Sequence, residues 1–375
     1  MRIDLRQRLG RVLDVLFPKR RLSLAPALVA RLLEDPLCVI DIGGAMGPDA
    51  RWEAIPREAM RLMSFEPDAR SKESCAADGA RRLLLDIGLA DTAGARTLHL
   101  TAGAFASSLY AANDEILRCF GVWPWYEPAG QTTIMVDTLD SRLRLHPGWS
   151  ADFVKVDVEG ADLDVLKGGR DALATAFGVQ VEVDFAGRNV GAPLQSDVDH
   201  WMRAAGFHPH LLFREHWVRA NGVHGVCSQP QIAWADAVYF RDREWAIEWI
   251  ARSDGAAEAE RRLAAISAIL LAYGAHDYAV EIIAAARDRG AVDPGFCEDA
   301  ARSVRASLVT LLPFVTRGMT ALVLSTLFAA PLALCGARGR AVGRDLIAAQ
   351  AAPLFDGLAR WARRSGLGGC CLADG

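Results

Sequence analysis

Short apolar runs alternate with helix-length amphipathic stretches from residue 37 to about 241, the pattern of a parallel sheet with crossover helices. Leu37–Ile42 heads the series. Leu62–Glu66, Arg82–Asp86, Phe153–Val158, Val179–Asp184, Phe207–Phe213 and Ala237–Phe240 follow, enough strands for one doubly wound α/β domain. Thr97–Thr101 and Thr132–Val136 read as a side pair. Before the first strand, residues 2–17 set Ile3, Leu9, Val12, Leu13 and Leu16 at helical intervals among arginines, a basic amphipathic helix ended by Pro18. Such a helix suits either the body of the protein or a membrane surface. A second helix, Pro26 to Leu33, leads into the sheet.

Beyond Arg243 the strand pattern stops, and Trp245 to Trp361 reads as alanine- and leucine-rich helices broken by glycine and proline. The chain therefore divides into an amino-terminal helical segment (1–36), an α/β domain (37–244) and a helical module (245–375). Gly318 to Ala337 carries no charge, and at about 1.5 Å per residue it could cross a hydrocarbon core of roughly 30 Å. Pro331 and several small residues dilute it, while similar runs at Leu263–Leu271 and Leu308–Val315 favour helices packed on one another.

The 375 residues suffice for about two domains, and 51% apolar with 23% charged residues is a globular composition. A net charge of -4 argues against nucleic acid as a partner. The eight cysteines form no C-x-x-C pair and read as reduced thiols. The first twenty residues interleave arginine with apolar positions and build no secretory apolar run, so the expectation is a cytoplasmic protein with a possible peripheral membrane contact.

The chemistry begins at Val39-Ile-Asp-Ile-Gly-Gly-Ala-Met-Gly47. A dinucleotide fingerprint needs glycine where Ile42 stands, which opposes an NAD-dependent oxidoreductase. Asp41 also puts a carboxylate at the loop, unfavourable for a pyrophosphate and favourable for a cation. S-adenosylmethionine carries an ammonium and a sulfonium but no phosphate. Glu66 ends the second strand about twenty residues past Gly47, where this fold places an acid for ribose hydroxyls. Asp86, or the backbone of Ile87 and Gly88, stands where an adenine edge would lie.

Along Asp152-Phe-Val-Lys-Val-Asp-Val-Glu-Gly160, Lys155 and Asp157 point to one side of the strand and Val154, Val156 and Val158 to the other. Charges at the end of a central strand belong in a cleft or in a Lys–Asp pair. Glu182 and Asp184 alternate similarly on the next strand. Asp157, Glu159, Glu182 and His216 are the candidates to take a proton. His216 sits in the stretch Arg214–Trp234, read as a substrate lid. His208 and His210 lack a third ligand, so no metal is expected. The aromatic segment Phe120–Tyr126 suits local packing better than a ring clamp.

Taken together, Val39–Gly47, Ser64-Phe-Glu-Pro67, Ser107-Ser-Leu109, Thr138-Leu-Asp140, Asp152–Gly160, Val165-Leu-Lys-Gly-Gly169 and Glu182-Val183 resemble the FkbM family of methyltransferases over residues 37–241. The resemblance implies a class I S-adenosylmethionine-dependent fold, a seven-stranded Rossmann-like sheet. It also implies O-methylation of a sugar or glycan, a polyketide or another small metabolite. Asp41, Gly43, Gly44, Gly47, Glu66 and Pro67 fall in its cofactor motifs, and Asp157 beside the transferred methyl. Asp162 stands where the family commonly has glutamate, a change expected to affect helix entry. A non-catalytic membrane-associated scaffold is the alternative from another class, resting on the first helix and on Gly318–Ala337.

Overall fold

The computed structural model describes residues 24–43, 49–68, 70, 81–222 and 230–308. The basic helix at 2–17, Gly44, Gly47, His224 and the stretch Gly318–Ala337 lie outside the described residues. Residues 21–306 form one compact unit.

Its centre is a seven-stranded sheet of β1 (Leu37–Ile42), β2 (Met60–Phe65), β3 (Arg82–Leu85), β7 (Phe153–Val156), β8 (Gly178–Asp184), β9 (Phe207–Trp217) and β10 (Gln231–Arg241). The order is β3-β2-β1-β7-β8-β10-β9, and β10 alone runs against the rest, antiparallel to β8 on one side and to β9 on the other. This is the expected doubly wound, seven-stranded α/β sheet. The side pair is also present: β5 (Gly94–Thr101) and β6 (Pro128–Asp137) are antiparallel, joined by the two-residue strand β4 (Gly88–Leu89) in a separate three-stranded sheet.

The period-2 alternation of each central strand builds two cores. Cys38, Ile40, Ile42, Val154, Val156, Val179 and Val181 face one layer, covered by α2 (Leu139–Leu145), α3 (Asp162–Lys167), α4 (Arg170–Thr175) and α5 (Gln195–Ala204). Leu37, Val39, Phe153, Val238 and Phe240 face the other. That second face is covered by α1 (Pro26–Glu34) together with α6 (Arg243–Ala251), α7 (Ala256–Ala272), α8 (His276–Asp288) and α9 (Pro294–Leu308).

The division expected at residue 244 is therefore no break in the packing. Leu263, Ile266 and Leu270 of α7 belong to the same core as Phe153 and Phe240 of the sheet. Arg261 reinforces it, donating from Nη1 and Nη2 to the two carboxylate oxygens of Asp152 at 2.5 and 2.7 Å. Composition marked where strands end, but a doubly wound sheet needs helices on both faces, and here the later helices supply one layer. Among the described residues no helix is long and apolar enough to cross a membrane.

The stretch Arg214–Trp234, expected as a lid, is partly strand. β9 continues through Trp217 and β10 begins at Gln231, with Trp217 opposite Gln231. The aromatic segment packs locally: Phe120 and Tyr126 are buried against Trp217 with ring centroids 5.5 and 5.7 Å apart, while Trp125 is half exposed.

Candidate active site

The alternation that buries Leu37, Val39 and Phe153 places Asp41, Lys155, Gln180, Glu182 and Asp236 on the same face at the carboxyl ends of the parallel strands. The register aligns them, with Asp41 opposite Lys155, Lys155 opposite Gln180 and Asp236 opposite Glu182. A cavity of about 270 Å³ opens above this polar stripe. Charge is uneven around it: Glu66, Asp68, Asp157, Glu159, Glu182 and Asp236 line it against Lys155 and Arg188. The arrangement favours a cationic ligand over a phosphate.

Gly43 starts the turn after β1 with φ +82°, and its N–H donates to the Phe65 carbonyl at 3.0 Å. A Cβ there would lie 1.8 Å from the Asp157 carbonyl oxygen. Only glycine lets the two strand ends approach so closely. Glu66, buried at the end of β2, accepts from the Asp68 N–H at 2.7 Å, and Pro67 follows it along the cavity wall.

Asp157 is about one third exposed and accepts from Lys155 Nζ at 3.0 Å. Lys155 also lies 3.6 Å from Asp41 Oδ1, a buried atom with no hydrogen-bond partner. Burial works to lower the Lys155 pKa, but Asp157 and Asp41 outweigh it and raise it. Burial raises the Asp41 pKa against the pull of Lys155.

Glu159 is the one residue other than glycine with a left-handed backbone among the described residues, at φ 56°. Its neighbours fix that shape. Ser108 Oγ donates to the Glu159 carbonyl at 2.6 Å, and Asp162 accepts from the Val158 and Gly160 N–H groups at 3.1 and 2.9 Å. Asp162 thus shapes the entry to α3, as expected. Burial pushes both carboxyls up to about 7, with Arg188 opposing it at Glu159 and Asp157 adding to it at Asp162. Glu182 is raised well above the usual carboxylate range, by burial first.

Of the residues singled out in the sequence, Gly43, Glu66, Pro67, Asp157, Glu159 and Glu182 meet at this cavity. Asp41 does not line it; its side chain is buried beside Lys155, its partner in register on β7. Asp86 is exposed past β3, and the neighbouring Ile87 and Gly88 line the wall instead. His216 is exposed on β9 opposite Ile232 and does not line the cavity.

The residue that sequence reasoning missed is Arg188. It lies in the turn after β8, 1% exposed, and donates from Nη1 to Glu159 at 3.0 Å and from Nη2 to Glu182 at 2.7 Å. Its backbone N–H donates to Asp184 at 2.7 Å. The oxygens of Asp157, Glu159 and Glu182 come within 4.8 Å of one another, close enough for one divalent cation, but Arg188 already engages both glutamates.

Residues 49–209 match the model of the methyltransferase FkbM domain. Among curated proteins, the 2-O-methyltransferase NoeI of Sinorhizobium fredii (strain NBRC 101917 / NGR234) is 26% identical over 178 residues, covering 46% of this chain and 73% of that protein. Among solved structures, magnesium protoporphyrin IX methyltransferase (ChlM) from Synechocystis PCC 6803 with bound SAM is 10% identical and covers 58% of this chain and 77% of that one. The TM-score of that pair is 0.28. The family match spans β2 through α5 and includes Glu66, Asp157, Glu159, Glu182 and Arg188. The similarity to the methyltransferase FkbM domain thus extends over the segment that carries the carboxylates of the cavity.

Proposed function

We propose that the protein transfers a methyl group from S-adenosylmethionine to a hydroxyl of a sugar or glycan, a polyketide or another small metabolite. The observation that carries the reading is the shared cavity, with Gly43 and Glu66 at the ends of β1 and β2 and three carboxylates at the ends of β7 and β8. The donor set fits the cofactor. An acid-rich wall suits its cationic groups, and a carboxylate at the end of β2 suits a ribose. The relative named a 2-O-methyltransferase supports oxygen as the acceptor atom.

When bound, S-adenosylmethionine supplies an electrophilic methyl carried on sulfur. The chain's own residues then have two tasks. Glu66, Pro67 and the turn at Gly43 hold the donor, while the Asp157, Glu159 and Glu182 group orients the hydroxyl and takes its proton. Positioning the two reactants supplies a large share of such a rate, and a base adds about 10²–10⁴-fold. Lys155 keeps Asp157 and Asp41 from facing each other as unpaired anions.

Calorimetric titration of the full chain with S-adenosylhomocysteine tests the reading. Saturable one-to-one binding, weakened in Glu66→Ala, is the expected result. Absence of binding, or equal binding by Glu66→Ala, would count against this placement of the donor.

A further inference from the structure

Three carboxylates face the reaction space, and their surroundings differ. Asp157 is paired with Lys155 and about one third exposed. Glu182 lies deep, with 4% of its side chain exposed, and Glu159 sits nearer the opening at 12%. Both glutamates meet one guanidinium. Asp184 does not compete for it as a hydrogen-bond acceptor, because its oxygens take the backbone N–H groups of Ala186, Gly187 and Arg188 at 2.7, 3.1 and 2.7 Å. Its nearest approach to Arg188 Nε is 3.6 Å. The turn therefore fixes the base of the arginine and leaves its fork to the glutamates and to the Tyr126 hydroxyl, which accepts from Nη1 at 3.3 Å.

We propose that Arg188 is a positioning residue that clamps Glu159 and Glu182 into one proton-accepting pair, with Glu159 the member presented to the acceptor hydroxyl. The inference rests on the methyltransferase reading and names the group that serves it. In the step, the acceptor O–H bond breaks and its proton goes to a Glu159 carboxylate oxygen. The freed oxygen pair forms the bond to the methyl carbon, and the carbon–sulfur bond breaks to leave a neutral thioether.

Two glutamates around one cation hold a single excess negative charge, so they titrate as a pair and not as two independent acids. Asp157 at the end of β7, Asp162 on α3, Asp184 on β8 and the Tyr126 hydroxyl also face them, and Arg188 is the cation in contact with both. The backbone supports the choice of Glu159. Left-handed backbone is unfavourable for a non-glycine residue, and such positions persist where neighbours enforce them, often at functional sites. The Ser108 and Asp162 contacts supply that enforcement.

The test uses the full chain with Arg188→Met, Arg188→Lys and Glu159→Gln. Turnover is followed as tritiated methyl incorporated into a metabolite extract, per folded molecule, beside S-adenosylhomocysteine affinity. Arg188→Met and Glu159→Gln should each lower turnover by about 10² or more while affinity changes less than twofold. Arg188→Lys should recover part of the loss, since one ammonium keeps the charge but lacks the planar fork. Removing the cation raises the pair's proton affinity, so the acid limb of the Arg188→Met pH–rate profile should move to higher pH. A merely structural arginine would lower the melting temperature and leave profile and turnover in place.

Carbon-13 titration of labelled glutamate carboxyls needs neither donor nor acceptor. It should show two carboxyls, assigned through Glu159→Gln, titrating higher in Arg188→Lys and higher still in any folded Arg188→Met. Unmoved carboxyl titrations, or wild-type turnover in Glu159→Gln or Arg188→Lys, would overturn the clamp. Wild-type protein that binds no S-adenosylhomocysteine and transfers no label would instead refute the methyltransferase reading, and the carboxyl titration would still decide the clamp.

Discussion

Replacing Gly43 with alanine probes the turn on which the cavity depends. The new Cβ would lie 1.8 Å from the Asp157 carbonyl oxygen, 2.7 Å from its carbon and 3.2 Å from Val158 Cγ1. Ordinary contact requires more than 3.0 Å, so β1 and β7 must part at their carboxyl ends by over an ångström. That movement pulls on the Asp157 N–H bond to the Ile42 carbonyl at 2.9 Å. Left-handed backbone costs alanine about 1 kcal/mol relative to glycine, and overpacking of this kind costs about 1–3 kcal/mol more. A loss of about 2–4 kcal/mol is expected against a typical total of about 5–15 kcal/mol. Gly274 has a similar φ of +75° with no atom within 4 Å of its would-be Cβ, so Gly274→Ala isolates the backbone term at about 1 kcal/mol. Urea unfolding of the full chain measures both, and calorimetry measures donor binding, which should weaken in Gly43→Ala only. If the two variants lose equal stability and both bind normally, the close approach is not what this glycine serves.

Three further outcomes follow from the same geometry. Glu66→Ala should weaken S-adenosylhomocysteine binding by about 1–3 kcal/mol by calorimetry, through loss of a charged acceptor. Truncation after Arg243 strips α7 from Phe153 and Phe240, each worth about 1.5–3 kcal/mol of burial, and leaves Asp152 without Arg261; size exclusion and near-ultraviolet dichroism should report an aggregated or molten fragment. A soluble, cooperatively melting fragment would restore residue 244 as a domain boundary. For pH, burial raises the Glu159 and Asp162 carboxyls to about 7 in the folded state, against about 4 unfolded, so the folded state binds their protons more tightly. Their contribution is fully present below about pH 4 and is lost as pH rises to about 7. Urea midpoints should therefore fall more steeply across that window in wild type than in Glu159→Gln, and parallel curves would sink the assignment.

Much of this was legible in the chain because strand alternation and register are local properties. The run Val39 to Ile42 and the pair Lys155 and Asp157 announced which face would be polar, and the structure aligns them as the pattern requires. Asp41 shows the limit of that reading, since alternation put it on the polar face but did not reveal that it would be buried beside Lys155 and not line the cavity. His216 was read as lying in a connection because β9 and β10 are longer than their apolar cores suggest, and it lies within β9. Arg188 had no local signal. Its carboxylate partners are 6 and 29 residues away, and only the fold brings them to one guanidinium. The cue, visible afterwards, is an arginine four residues beyond Asp184 in a turn whose aspartate accepts three backbone N–H groups. The helices beyond residue 244 were recognised as helices, but composition does not reveal what a helix packs against.

The central claim is methyl transfer to a hydroxyl. Its most direct measurement is transfer of a tritiated methyl group from S-adenosylmethionine by the purified full chain into a metabolite extract, followed by the chemical stability of the labelled product. The account predicts label that depends on the protein, falls in Glu66→Ala and survives alkali as a methyl ether should. Label released by mild base as methanol would mark a carboxyl ester, and absence of transfer from a well-folded chain would contradict the claim outright.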